Sequence, residues 1–294
     1  MAEVGTVVAS LVYGVLLGFV FAAIAHGLNL IWGVTKVVNA AHGEFIMLGA
    51  YGAYFLNLAW GLDPLLASVV DAGLGLAVGV VFYFAFLYRE LRGKDEIGLQ
   101  SELVTLVATF GLSLVLVNVG IIAWKGDPRG LRYNPGNIVL GGLSVPLGGV
   151  YVGLASLGII AISHVFLSRT YLGNAIRAYS QDIAAAKLMG VNPTSVAAIA
   201  TGIGFAMTMA GGAFLTVYLR AGITPFVGLT YAPISFVIVV LGGRGKMWGS
   251  LVGGVTIGVL LDVLQVFVPV EIAYAAAFLV VIPVLALAPE GILR

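Results

Sequence analysis

Long apolar runs, separated by short polar or glycine-rich breaks, dominate the chain. They cover about residues 4–25, 41–60, 64–88, 102–124, 150–167, 194–219, 229–243, 248–267 and 271–288. Each is continuously apolar rather than alternating. That pattern selects helices that cross a bilayer at about 20 residues each, because backbone exposed to hydrocarbon must satisfy its own N–H and C=O groups. A transmembrane β-barrel would need short alternating segments instead. The pattern predicts an all-α, polytopic transmembrane helix bundle forming one domain over residues 1–294, with seven to nine membrane segments.

Two stretches break the pattern. Asn29 to Ala40 and Leu241 to Trp248 are interrupted by glycine or polar residues, and the 229–243 run is short. These are the candidate re-entrant half-helices. The first runs into the polar cluster Asn39-Ala40-Ala41-His42-Gly43-Glu44-Phe45, set between two apolar stretches. A His or an acidic residue at bilayer depth costs roughly 2–3 kcal/mol or more, so such residues normally face a protein interior or an aqueous path. His42 and Glu44 stand two apart and point to different sides of a helix. Two readings stay open: a helix break exposing backbone groups to a solute, or a polar tie to a neighbouring helix or turn.

Composition agrees with the pattern. The chain is 61% hydrophobic and 9% charged, against about 25% charged for soluble domains, and its mean hydropathy is +1.10. The net charge of +1 comes from basic residues spread singly over short loops, so no nucleic-acid surface is expected. Cysteine is absent, and His26, His42 and His164 show no zinc spacing, so no metal site is expected. No Lys or Arg precedes the first apolar run, which reads as a retained helix rather than a signal peptide.

Basic residues set the expected orientation. Lys36, Arg89, Arg92, Lys94, Arg169, Arg177, Lys187, Arg244, Lys246 and Arg294 fall on one side, and Lys125, Arg129, Arg132 and Arg220 on the other. The first group is expected in the cytoplasm, with the N-terminus outside and the C-terminus inside. Residues 125–149, with Gly126, Pro128, Gly130, Pro135, Gly136 and Gly141-Gly142, then form a compact external loop. Residues 168–193 lie inside and read as an amphipathic helix, with Leu172, Ile176, Tyr179 and Ile183 at helical spacing, followed by a turn at Gly190-Val191-Asn192-Pro193.

Several features weigh against catalysis. Leu241-Gly242-Gly243-Arg244-Gly245-Lys246 lacks the spacing of a phosphate loop, and Met247 stands where Ser or Thr is required. Asp71, His164 and Glu271 sit near the ends of apolar windows, within reach of the interface, and Asp262 sits deeper. They form no convergent catalytic set. The small-residue pairs Gly14/Gly18, Gly75/Gly79, Gly249/Gly253 and Gly254/Gly258 read as close helix crossings within the bundle rather than a dimer face.

Three blocks carry a family resemblance. The first is Gly27-Leu28-Asn29-Leu30-Ile31-Trp32-Gly33-Val34, continuing into Val38 to Phe45 and Met47-Leu48-Gly49-Ala50-Tyr51. The second runs through Leu172-Gly173-Asn174-Ala175-Ile176-Arg177-Ala178, Gln181-Asp182 and Ala185 to Val191. The third is Val239-Val240-Leu241-Gly242-Gly243 with Gly245 and Gly249. Together they resemble the LivH-type permeases of bacterial and archaeal branched-chain amino acid ABC transporters. The resemblance implies a multi-pass permease subunit in a prokaryotic plasma membrane, importing branched-chain or other apolar amino acids by alternating access. Urea, short-amide or sugar permeases of the same superfamily are the alternative, and an ion-coupled secondary transporter the more remote one. The implied partners are a related LivM-like permease, two cytosolic ABC ATPases carrying ATP and Mg, and an extracytoplasmic solute-binding protein, all meeting in the lipid bilayer. This chain would hold no cofactor and no catalytic site. Asn39, His42, Gly43, Glu44, Gly242, Gly243 and Gly245 are the expected pathway or gate residues. Arg177, Gln181, Asp182, Ala185, Ala186 and Gly190 are the expected ATPase-coupling residues, with Ala184 where that loop often carries Glu.

Overall fold

The computed structural model describes residues 2–131, 133–140, 143–219, 222–287 and 291. Arg132, Gly141-Gly142, Arg220 and Arg294, named above, lie outside them. The described chain is helical apart from one hairpin. Its elements are α1 (Ala2–Thr35), α2 (His42–Trp60), α3 (Pro64–Phe82), α4 (Tyr88–Leu91), α5 (Leu99–Trp124), α6 (Leu147–Arg169), α7 (Tyr171–Gln181), α8 (Ile183–Leu188), α9 (Pro193–Leu215), α10 (Val227–Gly242), α11 (Met247–Leu264) and α12 (Val270–Leu287). A π-helical turn at Tyr83–Leu87 joins α3 to α4. Among the described residues, six segments are long and apolar enough to cross a membrane, and α10 and α12 are shorter apolar helices. The expected polytopic α-helical bundle is therefore present.

Burial separates centre from periphery. In α9, 83% of the most apolar window is buried, against 22% in α5. The central α9 packs against α1, α2 and α3, and α1 also packs along α11 and α6. Small residues permit these approaches. A methyl group added at Gly18 would lie 2.7 Å from the Cα of Val255, and one at Gly14 2.6 Å from the Cα of Val259. Gly254, Gly258, Gly75, Gly79 and Gly253 meet neighbouring backbones in the same way. The predicted small-residue pairs thus seat helices within the bundle, where packing replaces the hydrophobic drive.

The break after α1 is shorter than the sequence suggests. Asn29 does not interrupt the helix, which runs on to Thr35 and ends at Lys36 in a left-handed conformation (φ 59°). The reason is that Asn29 finds partners on a neighbour. Its amide nitrogen donates to the Lys246 carbonyl (2.8 Å) and the Ser250 hydroxyl (3.0 Å), and its oxygen accepts from the Gly245 N–H (2.6 Å). A polar residue satisfied this way needs no break in its own helix. The second break is confined to 243–246, between α10 and α11, where Gly243 and Gly245 take positive φ.

The 125–149 segment contains a β-hairpin that the apolar pattern does not show. Asn137–Leu140 (β1) pairs antiparallel with Leu143–Pro146 (β2), and α6 begins directly after it. Arg129 clasps this region to the stretch before α10. It exchanges two backbone hydrogen bonds with Ile223 (3.0 and 2.9 Å), and its guanidinium lies over Tyr54 and Phe55.

Overpacking a close crossing typically costs about 1–3 kcal/mol. Gly18→Leu is therefore expected to lower the melting temperature of the purified chain in detergent, whereas Gly111→Leu, with nothing within 4 Å, leaves it unchanged. Thermal unfolding followed by fluorescence compares the two directly.

Candidate functional site

The site is built where the chain turns from α1 into α2. Asn39 makes an Asx-type turn: its side-chain oxygen accepts from the Ala41 N–H (3.0 Å), and its carbonyl accepts from His42 N–H (3.3 Å). The Ala40 N–H donates to the Thr109 hydroxyl (3.0 Å), which pins the turn to α5. One turn along α5, the Ser113 hydroxyl donates to Glu44 Oε1 (2.8 Å). Thr109 and Ser113 lie near the middle of α5, which is about 39 Å long at 1.5 Å per residue. The start of α2 is therefore placed midway along a membrane-length helix rather than at its end.

A second helix starts at the same place. A methyl group on Gly43 would lie 2.4 Å from the Gly228 carbonyl oxygen, and one on Gly228 the same distance from the Gly43 oxygen. Neither Ala41 before α2 nor Phe226 before α10 supplies a side-chain cap. The first N–H groups of a helix have no partners within it. Two uncapped helix starts thus converge on one backbone contact.

Beside this contact lies a cavity of about 560 Å³, within the usual size range of small-molecule pockets. Leu106, Phe110, Leu229, Phe236 and Val237 give it apolar walls, and Glu44 and Ser113 give it a polar corner. Glu44 is 1% exposed, and its Oε2 has no hydrogen-bond partner among the described residues. The Asn39 Nδ2 and the His42 Nε2 are likewise buried without partners. The His42 ring stands edge-on to Phe236 at 6.4 Å, on a different neighbour from Glu44, as their spacing predicts.

The expected pathway residues form two groups rather than one. Asn39, His42, Gly43 and Glu44 gather at the α2 start. Gly242, Gly243 and Gly245 sit at the far end of α10, where Gly242 meets the Gly249 backbone and Gly245 meets Asn29. Gly228, at the α2 start, and Gly242 stand fourteen residues apart along α10, about 21 Å.

Two of the remaining ionisable groups, Asp71 and Asp262, depart from expectation. Asp71, expected to reach the interface, is fully buried against Gly52, and neither carboxyl oxygen has a partner among the described residues. Asp262, read as the deeper one, is half-buried in the last turn of α11. Window position misleads here because α3 and α2 pack closely at Gly52, covering a residue only two turns into its helix. The His164 ring lies 5.1 Å from Trp248, and Glu271 opens α12, exposed.

The expected coupling residues share the α7–α8 corner. Thr170 and Asp182 cap the two helices, accepting from Gly173 N–H and Ala185 N–H (3.0 and 2.9 Å). Ile176, Tyr179 and Ile183 turn inward, with Leu172 half-buried. Arg177, Gln181, Asp182, Ala185 and Gly190 are exposed, whereas Ala186 is buried. Arg177 bonds Asn174 rather than Asp182. Lys187 ties α8 to the segment before α5 through Asp95 and the Lys94 carbonyl. The sequence reading passed over Leu188 and Met189, 89% and 84% exposed at the tip. The signal was available as a bulky apolar pair directly before the glycine turn at Gly190.

Residues 6–287 match the family model described as branched-chain amino acid transport system / permease component. The chain belongs to that family. It is similar to the high-affinity branched-chain amino acid transport system permease protein BraD of Pseudomonas aeruginosa, 28% identical over 88% of this chain and 86% of BraD. It is also similar to the corresponding permease protein LivH of Escherichia coli K12, 27% identical over 95% of this chain and 93% of LivH. A more distant likeness is the ribose import permease protein RbsC of the same strain, 25% identical over 81% of this chain and 72% of RbsC. The match includes the α2 start, the α7–α8 corner and the α10–α11 turn, so all three motif blocks lie inside the family's span.

Replacing Asn29 with Ala leaves the Gly245 N–H without its acceptor and removes two further hydrogen bonds. Polar ties of this kind are worth about 1–2 kcal/mol between membrane helices. Asn29→Ala is expected to destabilise the chain by that amount in a reversible detergent unfolding titration.

Proposed function

We propose that this chain is a permease subunit of an ATP-driven importer that moves branched-chain or other apolar amino acids into the cell. The observation that carries the reading is the family match over residues 6–287. The importer sits in a prokaryotic plasma membrane, with the N-terminus outside and the α7–α8 corner in the cytoplasm. It works with a related permease, two cytosolic ATPases that supply ATP and Mg chemistry, and an extracytoplasmic binding protein. Solute enters from the binding protein, and closure of the ATPases drives the bundle between outward and inward states.

Geometry supports a division of labour within the chain. The α2–α10 junction is the element whose opening passes solute, because irregular backbone within the bilayer is tolerated where it is buried in protein or lines a cavity. The α10–α11 turn, held to α1 through Asn29, acts as a hinge at the other end of α10 rather than as a contact for solute. The α7–α8 corner receives the ATPase. Arg177, Gln181, Asp182, Ala185 and Gly190 form its surface and Leu188 and Met189 its apolar tip, while the Asp182 side chain also caps α8 and the buried Ala186 packs beneath it.

The reading is tested by purifying the tagged chain gently from its native membrane and identifying its companions. A second permease and nucleotide-binding ATPases are expected. Recovery of the chain alone, still transporting without ATP in proteoliposomes, would contradict it. Within the assembly, the double variant Leu188→Asp/Met189→Asp is expected to lose most of the co-eluting ATPase. Asp182→Asn, which keeps an oxygen for the α8 cap, is expected to retain it. Asp182→Arg forfeits the cap as well, at about 1 kcal/mol, and is expected to uncouple ATP hydrolysis from uptake. Normal uptake and normal stimulated hydrolysis in that variant would remove Asp182 from the coupling role.

A further inference from the structure

The cavity beside the Gly43–Gly228 contact has a polar pattern that selects one kind of solute. On one side it offers acceptors. Glu44 uses Oε1 for Ser113 and keeps Oε2 without a partner. Pro233, inside α10, has no N–H to give the Leu229 carbonyl one turn earlier, and both residues line the cavity. At the start of α10 it offers donors. Gly228 and Leu229 line the cavity in the uncapped first turn of α10, whose backbone N–H groups have no partner within the helix and where the helix dipole favours negative charge. The rest of the wall is apolar. An ammonium has three donors and no acceptor, and a carboxylate accepts only. A small molecule carrying both, together with a hydrocarbon side chain, matches every surface of the cavity. A sugar does not, because its hydroxyl groups would face the apolar wall.

We propose that this cavity is a solute site within the permease itself, in which Glu44 receives the ammonium of an apolar amino acid. The solute carboxylate lies at the start of α10, and its side chain lies among Leu106, Phe110, Phe236 and Val237. The proposal rests on the importer reading above and deepens it, since it gives the membrane subunit a selectivity of its own beyond that of any binding protein. Glu44 stands in the first turn of α2, where the helix dipole supports a carboxylate, and Ser113 holds its Oε1 while Oε2 keeps no partner. Because Glu44 is 1% exposed, the ammonium reaches it only when the wall parts. The parting is assigned to α5, the least buried of the spanning helices.

The test uses the assembled importer in proteoliposomes, with its binding protein and ATP, and measures uptake of radiolabelled leucine and alanine below saturation. Glu44→Gln keeps the side-chain volume and an oxygen for Ser113. It is expected to lower leucine and alanine uptake at least tenfold while the ATPases still co-elute, and Glu44→Asp to restore part of the loss. Val237→Phe narrows the wall without touching Glu44 and is expected to lower the leucine-to-alanine uptake ratio at least fivefold. Uptake by Glu44→Gln within twofold of wild type, with wild type active, overturns the site and leaves the importer reading standing. If Glu44→Gln does not assemble, the Val237→Phe ratio decides: a fall supports the site and an unchanged ratio overturns it. Absence of ATP-dependent amino acid uptake by the wild-type assembly overturns the importer reading and the site with it.

Discussion

Two helix starts meet at Gly43 and Gly228, and a side chain on either residue would drive the backbones apart. The rest of the architecture follows from holding that contact midway along α5. Membrane helices normally begin at the interface, where water satisfies their first N–H groups. Here α2 and α10 both begin inside the bundle, so their polar ends must be satisfied by protein or by a passing solute. Asn39 and Thr109 satisfy part of the α2 entry. The remainder, with Glu44, faces a cavity. The fold thus gathers unpartnered polar atoms of Asn39, His42 and Glu44 at this junction and keeps the walls of the cavity beside it largely apolar.

The two ends of the bundle serve this junction in different ways. Arg129, clasped to Ile223 and stacked over Tyr54 and Phe55, anchors the non-helical stretch that leads down to α10. At the other end of α10, Asn29 grips the Gly243–Lys246 turn, and Arg244 lies over Trp32 at 5.2 Å. The helix between these anchors is the one with Pro233 in its interior, a position that lacks a backbone hydrogen bond and bends easily. A bend there would change the cavity without disturbing the glycine crossings of α1, α9 and α11 that hold the bundle together.

Much of this was legible in the sequence, for physical reasons. Continuous apolar runs can only be helices in lipid, so the helix positions followed, as did the small-residue crossings. The cluster from Asn39 to Glu44 stood out because polarity in such surroundings is expensive. Asn29 misled because a polar residue looks the same in sequence whether it breaks a helix or bonds a neighbour 216 to 221 positions away. The depths of Asp71 and Asp262 were misjudged because burial depends on which helix covers a residue, and periodicity carries no such information. The β-hairpin at 137–146 and the separation of Gly242–Gly245 from the cavity likewise depend on long-range packing. Ser113, which holds Glu44, did carry a signal that a reading of apolar runs overlooks: Ser101, Thr105, Thr109 and Ser113 stand four residues apart and line the buried face of α5.

The central claim is that amino acids contact the junction of α2 and α10 on their way through this chain. The most direct measurement is photolabelling of the assembled importer during ATP-driven turnover with a diazirine analogue of leucine, followed by peptide mapping of the cross-linked sites. The account predicts label on residues 106–113 of α5 and 229–237 of α10, competed by unlabelled leucine. Competable label confined to other helices, such as α6 and α9, would contradict it.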